Sequence, residues 1–223
     1  MSGATEYAHA MRSLLAVVVL IAWPSAVLAA DATVTPVPVE DYPFFDQVII
    51  SKFLTSETTL VVIERMTTTQ LSPQQDGPLT AAVLRELEAF DGTLPPELVR
   101  DFVSVNQEPA RLEARFQFGV RYRLVSGHGL GEPEVSLAYP ASTGRAVPAQ
   151  GAPVVERLAF SRVGRTLRND QAVLYVEQNR PDGDGAGLLV WFRRKGRDWL
   201  LVDTDVLWTI GEDGEPEDVP LAP

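Results

Sequence analysis

Apolar positions recur at two different spacings along this chain, and the spacing changes between its halves. In the first half they recur every three or four residues. "DYPFFDQVIISKFL" sets Phe45, Ile49 and Phe53 four apart with Val48 beside them, which is one face of a helix. Asp41 stands where an N-cap belongs, and Pro43 is tolerated in a first turn. "LTAAVLRELEAFDG" predicts a second helix, with Leu79, Val83, Leu87 and Phe90 on its stripe and Gly92 at its end. "TLPPELVRDFVSVN" predicts a third, with Thr93 as cap and Leu98, Val99, Phe102 and Val105 on its apolar side. Between the first two helices, "TTLVVIERMT" (58–67) is β-branched and apolar and reads as a strand, followed by the loop "LSPQQDGP".

From residue 115 the period falls to two. "RFQFGVRYRLVSG" alternates, with Phe116, Phe118, Val120, Tyr122 and Leu124 on one face and Gln117, Arg121 and Arg123 on the other. Residues 127–153 are rich in turn-formers and read mostly as loop, with "EVSLAY" as a short strand. Four strands follow, at 155–164, 170–178, 187–194 and 198–206, broken by "RTLRN", "NRPDGDGAG" and "KGRD". Short polar connections of this kind join antiparallel neighbours. The expected class is α+β. Three N-terminal helices pack on one face of an antiparallel β-meander of five or six strands, so that the helical stripes and one sheet face bury each other. A cystatin-like or NTF2-like sheet is one version of that plan, by analogy only.

The N-terminus adds a destination. Arg12 precedes an apolar run from Leu14 to Trp23, then Pro24 and the small residues "SAVLAA". That is the pattern of a secretory signal peptide over 1–30, cleaved after Ala29 or Ala30. A start at Met11 gives a more compact signal. Attachment to the membrane would come only through an uncleaved signal, because a spanning helix needs roughly 20 apolar residues. Residues 31–40 are expected to be a linker, 41–210 a single domain and 211–223 a disordered acidic tail.

Composition narrows the function. Net charge is −11, with 30 acidic against 19 basic side chains. Such a surface repels phosphate backbones, so nucleic acid is not expected as a partner. The chain has no cysteine. An exported protein without disulfides relies on packing, and it has no thiol nucleophile and no thiolate metal site.

The candidate chemistry is sparse. His128, the only histidine after residue 30, lies in the Gly-rich "SGHGLGEP" and reads as a loop histidine. "PDGDGAG" has the outline of a calcium loop, with Asp182 and Asp184 at the first two ligand positions. Ala186 and Arg193 then stand where oxygen ligands belong, so a hairpin turn is expected. In "VDTDV", Asp203 and Asp205 share one face of a strand, about 6.6 Å apart by strand rise. Paired carboxylates serve glycosidases and aspartic proteases, but a solvated strand face is the plainer reading. Arg162 and Glu177 are placed to pair across adjacent strands. Trp191, Trp199 and Trp208 are expected to pack on the last strands. An exposed aromatic platform for sugar or peptide is the alternative.

The C-terminal blocks "LAFSRVG", "NDQAVLYVE" and "GAGLLVWFRRKGRDWLLV" resemble a family of small exported bacterial proteins of uncharacterised role. Its signature runs "LSRVGF", a polar turn, "QALVYV", a Gly-rich turn, then "LLxK" and "NGKW". Ser161, Arg162, Val163 and Gly164 match the first block. Gln171, Ala172, Val173, Tyr175 and Val176 match the second, and Lys195, Gly196, Trp199 and Val202 approximate the last. Arg165 departs from the usual aromatic after Gly164, and "LLVWF" replaces a tyrosine pair. The resemblance implies the fold and an exported character, and it carries no catalytic residue. No catalytic, cofactor or metal residue is therefore assigned. The expected function is a non-catalytic soluble domain of the cell envelope that binds a protein partner or small ligand. The alternative is a carboxylate-based hydrolase using Asp203 and Asp205.

Overall fold

A computed structural model describes residues 34–126, 130–131, 154–180 and 184–211. The three helices are α1 (Tyr42–Val48), continued by a π turn over Ile49–Phe53, α2 (Ala81–Glu86) and α3 (Pro96–Val105). The strands are β1 (Leu60–Glu64), β2 (Arg121–Ser126), β3 (Leu130–Gly131), β4 (Val154–Phe160), β5 (Gly164–Arg165), β6 (Gln171–Asn179), β7 (Gly185–Lys195) and β8 (Asp198–Ile210). They form one sheet in the order β3-β2-β1-β4-β6-β7-β8, with β5 also paired to β6. The class is α+β. The expected signal peptide over 1–30, the loop holding His128 and the expected strand "EVSLAY" lie outside the described residues, as does the expected acidic tail beyond Gly211.

Three expectations change. First, the sheet is mixed. The C-terminal run β4-β6-β7-β8 is the antiparallel meander, but β1 pairs in parallel with both β2 and β4. Parallel neighbours need a crossover, and the segment carrying α2 and α3 supplies the one between β1 and β2. Second, the helices divide between the two faces. Ala172, Leu174, Val176, Val190 and Phe192 share a core with Phe44, Phe45, Val48 and Ile49 of the first helical segment. The alternate residues Val173, Tyr175 and Leu189 share another with Leu84, Leu98 and Phe102 of α2 and α3. The molecule has three layers rather than two. Third, β2 begins only at Arg121. Phe116 and Phe118 are buried with Tyr122 as their alternation requires, but Gly119 at φ 86° breaks the extended backbone before the strand starts.

The helix ends also differ. Asp41 makes no side-chain cap; it is fully buried and bonds Arg165. Thr80 caps α2 by accepting from the Val83 N–H at 3.3 Å. Thr93 caps nothing, because its hydroxyl turns back to the Phe90 carbonyl. Among the described residues, no helix is long and apolar enough to cross a membrane.

The block "SRVG" proves to be a junction. At Ser161 the strand leaves its ladder, and the Ser161 hydroxyl accepts the Tyr175 N–H at 2.8 Å in place of a carbonyl. The Arg162 N–H donates to Asn106 Oδ1, and Asn106 Nδ2 returns a bond to the Arg162 carbonyl. Gly164 lies against the backbone of α3, and the Arg165 N–H donates to Asp101 Oδ2. Arg162, Gly164 and Arg165 thus join the sheet to α3 and its C-cap, and Arg165 reaches onward to Asp41.

Candidate functional site

An apolar concavity lies between α2 and α3. Leu84 and Ala81 come from α2, Ala89 and Leu94 from the connection, and Val99 and Val103 from α3; together they surround about 400 Å³. That volume falls within the range of small-molecule sites. It arises because α3 is apolar on two sides. Leu98 and Phe102, four apart, are fully buried against the sheet. Pro96, Val99 and Val103 form the neighbouring stripe and stay only partly covered. A helix with one partner would need only the first stripe. Arg85 of α2 and Arg100 of α3 complete the lining, and both are exposed.

The turn that closes one end of this groove is strained. Glu88, Phe90 and Asp91 all have left-handed backbones, at φ 48°, 53° and 53°. For a residue as bulky as Phe90 that conformation is a genuine outlier, and such strain persists only where the surroundings impose it. Two contacts do so here. The Phe90 ring packs on Trp191 at 5.6 Å between centroids. The Phe90 N–H donates to Asp205 Oδ2 at 2.7 Å. The sheet therefore sets the shape of a wall of the groove through one carboxylate.

That bond decides what the aspartate pair can do. Asp203 and Asp205 do share a face of β8, opposite Trp191 and Leu189. Asp205 is committed to the Phe90 amide, and Asp203, exposed, accepts from the adjacent Thr204 N–H. Neither lines the groove. Asp205→Ala is expected to lower stability by about 1–3 kcal/mol, since a buried donor loses its acceptor. Asp205→Asn, which keeps an oxygen there, should cost less than half as much. Urea denaturation of both variants measures this, and faster hydrogen exchange at the Phe90 amide in the alanine variant alone would place the loss at that bond.

The remaining candidates disperse. Arg162 turns to α3, its guanidinium 3.5 Å from the Val105 carbonyl. Glu177 instead bonds Tyr175 and Asn179, so the expected cross-strand pair does not form. Asp184 lies at the start of β7, 3.8 Å from Arg180; Asp182 is outside the described residues. Ala186 sits in the β7 ladder, and Arg193 lies over Trp191 at 5.6 Å. Among the described residues no acidic or histidine cluster is arranged to hold a metal.

The three tryptophans pack as the plainer expectation has them. Trp191 belongs to the α2–α3 side and Trp199 stacks on Phe44 at 4.9 Å. Trp208 donates to both the Leu71 carbonyl and the Tyr175 hydroxyl, at 2.9 and 2.8 Å.

Two features escaped the sequence. The first is the partly buried chain from Trp208 through the buried Tyr175 to Glu177. Burial pushes the Glu177 carboxyl above its ordinary range, opposed by bonds from Asn179 and Tyr175. Gly187 makes room for it, because a Cβ there would lie 2.1 Å from the Trp208 indole nitrogen. The second is Asp46, beside a wider hollow with Tyr42, Ile50 and Arg115. Burial pushes its carboxyl up to about 6, against a bond from the Gln117 N–H at 2.9 Å. Neither carboxyl lines the α2–α3 groove. Against known proteins, no family model, no curated protein and no solved structure matches this chain.

Proposed function

We propose that this is an exported, non-catalytic domain of the cell envelope that binds a small, largely apolar ligand between α2 and α3. The N-terminal pattern of Arg12, an apolar run and small residues supports export, and the C-terminal blocks support membership of the exported family they resemble. The observation that carries the binding reading is the second apolar stripe of α3. Val99 and Val103 remain partly uncovered over a groove of about 400 Å³ with a strained end. A preformed apolar site of this kind binds without ordering its own walls.

The hydrolase alternative has less support, because Asp205 already serves the Phe90 amide and Asp203 lies exposed on an outer strand.

A thermal-shift series tests the proposal. A ligand at 100 times its Kd adds about 2.7 kcal/mol, which for a chain of this size raises Tm by roughly 5–10 °C. Val99→Trp fills the groove from an incompletely buried position. It should leave the unliganded Tm within about 3 °C of the parent and abolish the shift. A shift that survives in Val99→Trp means the ligand sits elsewhere.

A further inference from the structure

We infer that the occupant of this groove is a single-chain amphiphile with an anionic head, a carboxylate above all, and that Arg85 and Arg100 receive that head. The inference rests on the groove being the binding site, and it adds the ligand's chemistry. Charge is the first support. In a chain with 30 acidic and 19 basic side chains, the residues lining this groove include two arginines and no carboxylate. A local positive site on an acidic surface selects anions.

Placement is the second support. One arginine comes from each helical wall, and both are exposed while the residues between them are apolar. Heads and tails would therefore meet different parts of one concavity. The Arg85 Nε–H donates to the Ala81 carbonyl at 3.1 Å, which lays its stem back along α2. Part of its side-chain freedom is already lost before a ligand arrives, and guanidinium groups suit two-oxygen anions.

The same charge balance selects the source. A net charge of −11 disfavours approach to an anionic bilayer. The ligand is therefore a free amphiphile rather than a headgroup in a membrane.

Calorimetric titration of the full chain with decanoate, decanol and decyltrimethylammonium, below their aggregation limits, tests the inference. Decanoate should bind about tenfold or more tighter than decanol, the scale of a charge-assisted hydrogen bond, and the cation should bind weakest. The double variant Arg85→Gln/Arg100→Gln should lose the preference and bind decanoate no better than decanol. Equal affinities for decanoate and decanol in the parent would overturn the head-group assignment and leave the groove standing. So would a decanoate preference that persists in the double variant. Failure of both ligands to bind, or binding undiminished by Val99→Trp, would overturn the groove reading as well. Co-sedimentation with phosphatidylglycerol vesicles without binding of free decanoate would overturn the choice of a free ligand.

Discussion

Gly164→Ala is expected to destabilise the protein by about 3 kcal/mol, although it adds one methyl group. A Cβ on Gly164 would lie 2.5 Å from Phe102 Cα, 2.6 Å from its Cβ and 2.8 Å from its nitrogen. Two of these three neighbours are helix backbone atoms, which no rotamer change can move aside. Relief would require α3 to retreat from the sheet. That movement would stretch the bonds from Asp101 to Arg165 and from Asn106 to Arg162, and would uncover Phe102, now fully buried. Gly196→Ala is the matched control. Its φ of +66° costs backbone strain, but nothing lies within 4 Å of the added carbon. It should therefore lose only about 1 kcal/mol. Urea midpoints of the two variants measure the difference, and equal losses would mean that close packing on α3 does not constrain position 164. This accounts for a glycine after Ser161-Arg162-Val163: the block is a place where helix backbone meets strand backbone.

The same junction shows what the sequence made legible. Element types followed from periodicity: three helices and the meander appear where the spacing puts them, but α2 stops at Glu86, short of the expected end at Gly92, because the chain turns left-handed at Glu88, Phe90 and Asp91. The meander runs longer than the turns suggested, because β8 continues to Ile210. The layer count was also written in the chain, in "AVLYV" and "LLVWF". Unbroken apolar runs in strands mark burial on both faces, and Ala172 through Val176 are all buried. A polar outer face would have interrupted those runs and justified helices on one side only.

Other features had no local signal. Parallel pairing of β1 with β2 and β4 depends on which strands meet after long connections, and nothing within "LVVIE" distinguishes parallel from antiparallel neighbours. The groove is likewise non-local. Val99 was legible as apolar, but the helix pattern did not say that Leu98 and Phe102 would meet the sheet while Val99 and Val103 faced α2. Asp205 read as half of a carboxylate pair because spacing alone relates it to Asp203. Its partner, the Phe90 amide, lies 115 residues away. Asp41 likewise read as a cap because local rules relate it only to α1, whereas its counter-charge lies 124 residues on.

That distant pair should give the largest charge effect in the protein. Arg165→Met is expected to cost about 3–5 kcal/mol near neutral pH, the usual penalty for leaving one member of a buried ion pair alone. Asp41 is fully buried, and its Oδ1 lies 2.5 Å from Arg165 Nη2. The same guanidinium also donates to the Glu40 carbonyl and covers the Phe44 ring at 5.1 Å. Burial pushes the Asp41 carboxyl above its ordinary range, and the arginine's charge and hydrogen bond oppose that push.

The direction of the pH effect follows. A carboxyl whose folded pKa exceeds its unfolded one binds protons more tightly when folded, so folding gains as pH falls through the folded value toward the ordinary one. Removing Arg165 raises the folded value further and widens that window upward. The variant's deficit should therefore be largest at pH 8 and smaller at pH 5. Adding Asp41→Asn to the variant should recover most of the loss at pH 8, and the pH dependence of the deficit should vanish. Methionine keeps an apolar stem over Phe44, so lost packing contributes little and carries no pH dependence. A deficit equal at pH 5 and pH 8, unrelieved by Asp41→Asn, would assign the loss to the Phe44 contact and the Glu40 carbonyl instead of to the buried charge.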